Sequence, residues 1–166
     1  HVIHSSHRTP EITFIDAVSS SSAAPMYFPP YKTQSGSWMI DGGVVTNNPV
    51  LVGASHAKEF FKTDDIKFLS IGAGLNKQKI SGETAALWGG VGWLRNDLMA
   101  MMLDSEIHDT LAQDILGKNY LRINSPIGKV NKILDDDSES NIEKIHLMGL
   151  EWWSEFGEET IQFLKD

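Results

Sequence analysis

Met-Ile-Asp-Gly-Gly-Val-Val-Thr-Asn-Asn-Pro, residues 39–49, is the stretch on which the reading of this chain turns. It sets one carboxylate, Asp41, at the end of the short apolar run Trp38-Met39-Ile40 and directly before two glycines. A charge where a buried strand breaks off is costly to desolvate unless it is paired or used, and working carboxylates tend to occupy such places. Gly42 and Gly43 lack Cβ, so the backbone can turn sharply there and another segment can come close. Asn48 and Pro49 then read as a cap and a first helical residue. Taken alone, the same pattern also fits a plain strand-to-helix turn whose Asp satisfies nearby amides.

Outward from this stretch, Asn48 and Pro49 open a predicted helix to about Phe61, with Val50, Leu51, Ala54, Ala57, Phe60 and Phe61 on its apolar face. Thr63-Asp64-Asp65 ends it, and Ile66–Ile71 is a compact run suited to a buried parallel strand. Helix, short break and buried strand is the rhythm of an α/β layer fold. Upstream, Thr9-Pro10-Glu11 reads as cap, first helical position and first-turn acid, predicting a helix from Ile12 to about Ser21; Ile12, Phe14 and Ile15 also fit a strand's alternation. Pro25–Tyr31 should be an extended loop and Ser35-Gly36-Ser37 a turn into a short strand, Trp38–Ile40.

Downstream, 75–84 is polar loop, and Ala85 to about Leu116 is helical, with Leu94, Leu98, Met101, Met102, Ile107 and Leu111 inward. Such a Met-bearing stripe could cradle acyl chains, though ordinary core packing explains it more simply. Tyr120–Ile123 is a further strand. Ser140-Asn141-Ile142-Glu143 forms a capping box for a helix to about Phe156, followed by a short one over Glu158–Leu164.

The order of motifs carries more than any one of them. It runs Ser19–Ser22, Ala23-Ala24-Pro25, Phe28-Pro29-Pro30, Asp41-Gly42-Gly43 with Asn48-Pro49, and Leu69-Ser70-Ile71-Gly72-Ala73-Gly74. Trp88–Trp93, Asn119–Asn124 and Leu134–Ser138 continue it. This ordered set resembles the C-terminal half of the patatin-like phospholipases, across nearly the whole chain. The resemblance implies an α/β fold, with a mostly parallel central sheet flanked by helices, whose N-terminal part lies outside this chain. Residues 1–166 would then be the C-terminal portion of a single patatin-like domain.

The resemblance also implies lipid acyl ester hydrolysis by a Ser–Asp dyad, with phospholipid or galactolipid substrates and no metal or organic cofactor. Asp41 matches the family's aspartate, and Gly42 and Gly43 the glycines that border the substrate. The family's nucleophile sits in Gly-x-Ser-x-Gly, and no such motif occurs here. Thr33-Gln-Ser-Gly-Ser37 lacks the flanking glycine and the preceding buried strand, and the glycine-rich oxyanion loop is absent too. The chain alone is therefore expected to be inactive, its partner being a complementary N-terminal half that carries Gly-x-Ser-x-Gly. The alternative is a catalytically inactive patatin-like module that binds lipid or protein. His1 is an improbable native start, which points to sequence upstream.

Composition narrows the remaining classes. The 166 residues are 41% apolar and 22% charged, ordinary globular values for about one domain. With 14 Lys and Arg against 22 Asp and Glu, the net charge of −8 argues against nucleic acid as a partner and against charge-driven adhesion to anionic membranes. No apolar run reaches transmembrane length, and the absence of cysteine excludes disulfides and thiolate chemistry while leaving the compartment open.

Other candidates have structural readings. The serine run 19–22 lacks elbow glycines and suits close helix packing. His1, His4 and His7 imitate a metal face without a carboxylate partner, and His56, His108 and His146 stand isolated on predicted helices. Asp135-Asp136-Asp137 lacks the glycine and glutamate of a calcium loop, and Gly72-Ala-Gly74 lacks the third glycine of a dinucleotide site. Arg122 is expected in a structural ion pair.

Overall fold

A computed structural model describes residues 2–75, 81–95, 106–133 and 135–165. The first helix, α1, is Phe14–Ser21 and starts two residues later than predicted. Its cap is Thr13, whose Oγ1 accepts from the Asp16 amide at 3.0 Å, while Thr9 takes part in an upstream turn, accepting from the Ser5 and Ile12 amides. The spacing explains the shift. Thr13 has an acid three residues on, at Asp16, whereas Thr9 has the apolar Ile12 there.

α1 leads through the proline-rich loop into an antiparallel hairpin, β1 (Tyr31–Lys32) and β2 (Trp38–Met39), with Tyr31 opposite Met39 and Lys32 opposite Trp38. Gly36, at φ +92°, supplies the left-handed residue of the connecting turn, and buried Thr33 closes it by accepting from the Ser37 amide. Tyr31, read as the last loop residue, is thus a strand residue. A short unpredicted helix, α2 (Gly43–Thr46), follows, then α3 (Val50–Phe61), which ends where predicted and starts one residue later, Pro49 being its cap rather than its first residue. Lys62 ends α3 in the left-handed region.

β3 (Phe68–Ile71) and β4 (Tyr120–Ile123) pair in parallel, in the register Phe68–Tyr120 to Ile71–Ile123. Between them the described residues form α4 (Gly82–Ala85), α5 (Gly90–Arg95), α6 (Glu106–Leu116) and a 3₁₀ turn, Gly117–Asn119. The parallel pairing across a helical crossover gives the α/β class. Among the described residues the strands make this two-stranded parallel sheet and the separate hairpin, not one broad central sheet.

Several expectations fail on these helices. The last helix, α7, is continuous over Glu139–Lys165 rather than broken at Gly157. The Trp153 indole lies 3.0 Å from where a Gly157 Cβ would stand, so this glycine admits a ring instead of ending the helix. The cap also lies two residues earlier than predicted, at Ser138, whose Oγ accepts from the Asn141 amide. Asn141 itself is buried and tied to the preceding loop through Asn131 N–H and Asp136 C=O. On α6, Ile107 and Leu111 are 67% and 44% exposed rather than inward, and Ala112 is the buried position. The side chain of Leu94, and Leu98, Met101 and Met102, lie outside the described residues.

Among the described residues, the buried groups are small or polar. Ala23, Ala54, Ala112 and Tyr120 are the buried apolar residues, beside Asp16, Ser20, Thr33, Asn48, Ser70, Asn141 and Thr160. Large apolar side chains stand open instead, among them Phe14, Phe28, Trp38, Ile71 and Trp153. Among the described residues, no helix is long and apolar enough to cross a membrane.

Candidate active site

Asp41 stands one residue past Ile40, where the chain leaves β2 and turns into α2. Its N–H donates to the Ala23 carbonyl at 3.0 Å, which fixes the turn to the segment that follows α1. The carboxylate is half-buried and folds back on the turn, Oδ1 accepting from the Gly43 amide at 2.5 Å. Oδ2 takes no hydrogen bond among the described residues. Gly43 permits this fold-back: a Cβ there would stand 2.8 Å from Asp41 Oδ1. Gly42 is exposed, and the Ser21 hydroxyl lies 3.9 Å from the place its Cβ would occupy. Asp41, Gly42 and Gly43 are thus together, with the glycines shaping the turn around the acid.

Two buried polar clusters, missed by sequence reasoning, hold this turn. The first surrounds Asp16, 1% exposed, whose carboxylate accepts from Tyr31 Oη, Thr13 Oγ1 and the Gln34 amide. Burial pushes its carboxyl up, and the hydrogen bonds from Tyr31, Thr13 and Gln34 outweigh that, leaving it below the usual carboxylate range. The bond to Asp16 in turn raises the Tyr31 hydroxyl above its ordinary value, with burial acting in the same direction.

The second cluster joins α3, β3, β4 and α6. Asn48, also 1% exposed, donates through Nδ2 to Tyr120 Oη and accepts at Oδ1 from Ser70 Oγ and the Val50 amide. Tyr120 donates to Asp109, and Arg122 donates to Ser70 at 2.6 Å. Burial raises the Tyr120 hydroxyl first, with Asp109 adding to it and the bonds with Asn48 and Ser70 opposing. The signal in the sequence was slight: Ser70 is the one polar residue in the run Phe68–Ile71, and Asn48 was read as a cap only.

The other candidates are structural. Gly72 and Gly74 mark a close crossing of the β3 and β4 exits: a Cβ on Gly72 would meet Asn124 Oδ1, and one on Gly74, at φ +111°, would meet Ile127 Cγ2. Asp136 is held below the usual carboxylate range by Ser138 and Asn131, in a turn ahead of α7. In the serine run, Ser20 is buried on the hairpin side of α1, and Ser21 and Ser22 are exposed. His7 packs edge-on against Phe60, and no three His, Cys, Asp or Glu side chains among the described residues are grouped to hold a metal. A cleft of about 530 Å³ lined by Asp109, Gln113, Asp114, Tyr120, Arg122 and Glu159 lies apart from Asp41, and its polar wall does not suit an acyl chain.

Comparison with known proteins bears on the family of the chain. The model of the family described as patatin-like phospholipase matches residues 2–53, the segment from the N-terminus through α1 and the hairpin to Asp41 and α3. A cGAMP-activated phospholipase of Vibrio cholerae serotype O1 is 32% identical over 167 residues, covering 86% of this chain and 46% of that protein. Patatin-like protein 4 of Arabidopsis thaliana is 32% identical over 168 residues, covering 81% of this chain and 42% of its own length. Patatin-15 of Solanum tuberosum is 30% identical over 176 residues, covering 86% and 45%. No solved structure matches the chain. The chain belongs to the patatin-like phospholipase family. It spans a little under half the length of these curated relatives.

Proposed function

We propose that this chain supplies the general base of a lipid acyl hydrolase, with Asp41 acting on a serine hydroxyl carried outside residues 1–166. The observation that carries the reading is the Asp41 carboxylate, half-buried at a strand-to-helix turn, with Oδ1 held by the Gly43 amide and no hydrogen bond to Oδ2 among the described residues. An oriented carboxylate with one unoccupied oxygen is what a hydroxyl needs in order to pass on its proton.

In this reading residues 1–166 form the C-terminal portion of one patatin-like domain. A complementary N-terminal half brings Gly-x-Ser-x-Gly, the oxyanion amides and further strands beside the β3–β4 pair, extending it into a mostly parallel sheet. The serine Oγ attacks the acyl carbonyl as its proton moves to Asp41, and the tetrahedral adduct expels the alcohol, which takes that proton. Water, deprotonated by Asp41 in its turn, then cleaves the acyl-enzyme and releases the fatty acid and the serine hydroxyl. A carboxylate is a weak base in water, so the site must be dry and preorganised once assembled. The open apolar side chains Phe14, Phe28 and Trp38 are surface for the missing half or the acyl chain to cover. Gly42 borders the substrate, while Gly43 orients the base. No metal or organic cofactor enters these steps.

The test is Asp41→Asn in the full-length protein, assayed on a short-chain acyl ester. Loss of the base lowers turnover about 100- to 10,000-fold, with an unchanged circular-dichroism melt because the two side chains are nearly isosteric. A folded variant with wild-type turnover removes Asp41 from the mechanism.

A further inference from the structure

We infer that Asp16 is the positioning residue for Asp41: it clamps the β1–β2 hairpin to α1, so that α1 dictates where the Asp41 carboxylate stands. The inference rests on the assignment of Asp41 as the base.

A fully buried acid needs several partners to hold its charge, and those of Asp16 lie on two separate pieces of chain, the head of its own helix and the hairpin. Oδ2 accepts from Thr13 Oγ1 at 3.0 Å, at the head of α1. Oδ1 accepts from Tyr31 Oη at 2.9 Å, on β1, and from the Gln34 amide at 3.3 Å, in the hairpin turn. Capping α1 requires only the bond from the Asp16 amide to Thr13, so the bonds to Tyr31 and Gln34 do something further. Tyr31 is the cross-strand partner of Met39, two residues before Asp41. Beyond β2, the Asp41 amide returns to Ala23, just past the other end of α1. The strand that carries the base is therefore fastened to one helix on both sides of the hairpin.

Apolar packing is thin here. The buried side chains in the stretch from α1 through the hairpin are Asp16, Ser20, Ala23 and Thr33, whereas Phe14, Ile15 and Trp38 are 85%, 69% and 67% exposed. Small residues fit at several offsets, but directional bonds to one carboxylate fit at one. Release of the clamp lets the hairpin, and Asp41 with it, shift against α1. A displacement near 1 Å costs about 100-fold in rate when a reacting group must be aligned.

The experiment measures kcat and KM of the full-length protein on a short-chain acyl ester, with a circular-dichroism melt of each variant. Asp16→Ala, folded at the assay temperature, should lose about 10- to 100-fold in kcat with KM within twofold of wild type. Asp16→Asn keeps Oδ1 for Tyr31 and Gln34, and should recover most of that loss. Tyr31→Phe should cost about 10-fold by itself and add nothing to Asp16→Ala, because both remove one bond. A folded Asp16→Ala with wild-type kcat overturns the inference, as does Asp16→Asn being no better than Asp16→Ala. Should Asp16→Ala fail to fold, Tyr31→Phe decides: reduced kcat at unchanged KM supports the clamp, and unchanged kcat refutes it. Wild-type turnover in a parallel Asp41→Asn refutes the base assignment instead, whereas an inactive Asp41→Asn beside fully active Asp16 and Tyr31 variants refutes the clamp alone.

Discussion

Asn48→Ala is the sharpest probe of how the turn bearing Asp41 is tied to the parallel sheet. Asn48 is one of the two largest fully buried side chains, and its amide makes three bonds, to Tyr120, Ser70 and the Val50 amide. Truncation removes all three at about 1 kcal/mol net each. Tyr120 keeps Asp109 as acceptor, but the Ser70 hydroxyl and the Val50 N–H each lose one. An orphaned buried donor adds about 1–3 kcal/mol, partly relieved where water reaches the new space. The expected destabilisation is about 3 kcal/mol, which lowers Tm by roughly 3–6 °C in a domain about twice the length of this chain. Calorimetry on the full-length protein reads it. Ser70→Ala alone should cost about 1 kcal/mol, and the double variant should fall short of the sum by a similar amount, since the two share a bond. A Tm loss under about 2 °C for Asn48→Ala, or strict additivity with Ser70→Ala, would refute the reasoning.

Two further outcomes follow from geometry and titration. Gly74→Ala should destabilise by about 1–3 kcal/mol, because it places a side chain at positive φ and drives it into Ile127; a melt within 1 °C of wild type would contradict the crossing described between the β3 and β4 exits. For pH, the folded Asp16 carboxyl lies below its ordinary value, so its contribution is present above pH about 4 and is lost as pH falls through the folded value. Tyr31 lies above its ordinary value, so its contribution holds below pH about 10 and is lost as pH rises beyond that. Plots of Tm against pH should therefore fall at both ends, with Asp16→Asn flattening the acid limb and Tyr31→Phe the alkaline one. Variant profiles parallel to wild type would deny these bonds their place in the fold.

What the sequence revealed follows from how local each signal was. The bounds of β4, and those of α3 to within one residue, were legible because cap, periodicity and β-branched or aromatic content agreed over a few adjacent residues. The start of α1 was misplaced because two threonines four apart both qualify as caps, and only the acid after Thr13 separates them. α7 was cut in two because Gly157 reads as a breaker until Trp153 is seen to occupy the space beside it. Ile107 and Leu111 were placed inward by periodicity, but periodicity tells which residues share a face and not what covers that face. At the site, Asp41 and its two glycines could be picked out as a contiguous motif. Asp16 and Asn48 could not, because the partners that tie them to other elements lie 15 to 72 residues away and nothing in a helix or cap pattern announces a buried polar group.

The central claim is that Asp41 serves a hydroxyl that this chain does not contain. It is met most directly by treating the full-length protein with a fluorophosphonate, which forms a bond to an activated serine, and locating the adduct by peptide mass spectrometry in wild type and in Asp41→Asn. The account predicts a single labelled serine outside residues 1–166, within Gly-x-Ser-x-Gly, and little or no labelling once Asp41 is replaced. A label on Ser21 or another serine of this chain, or undiminished labelling in Asp41→Asn, would contradict it.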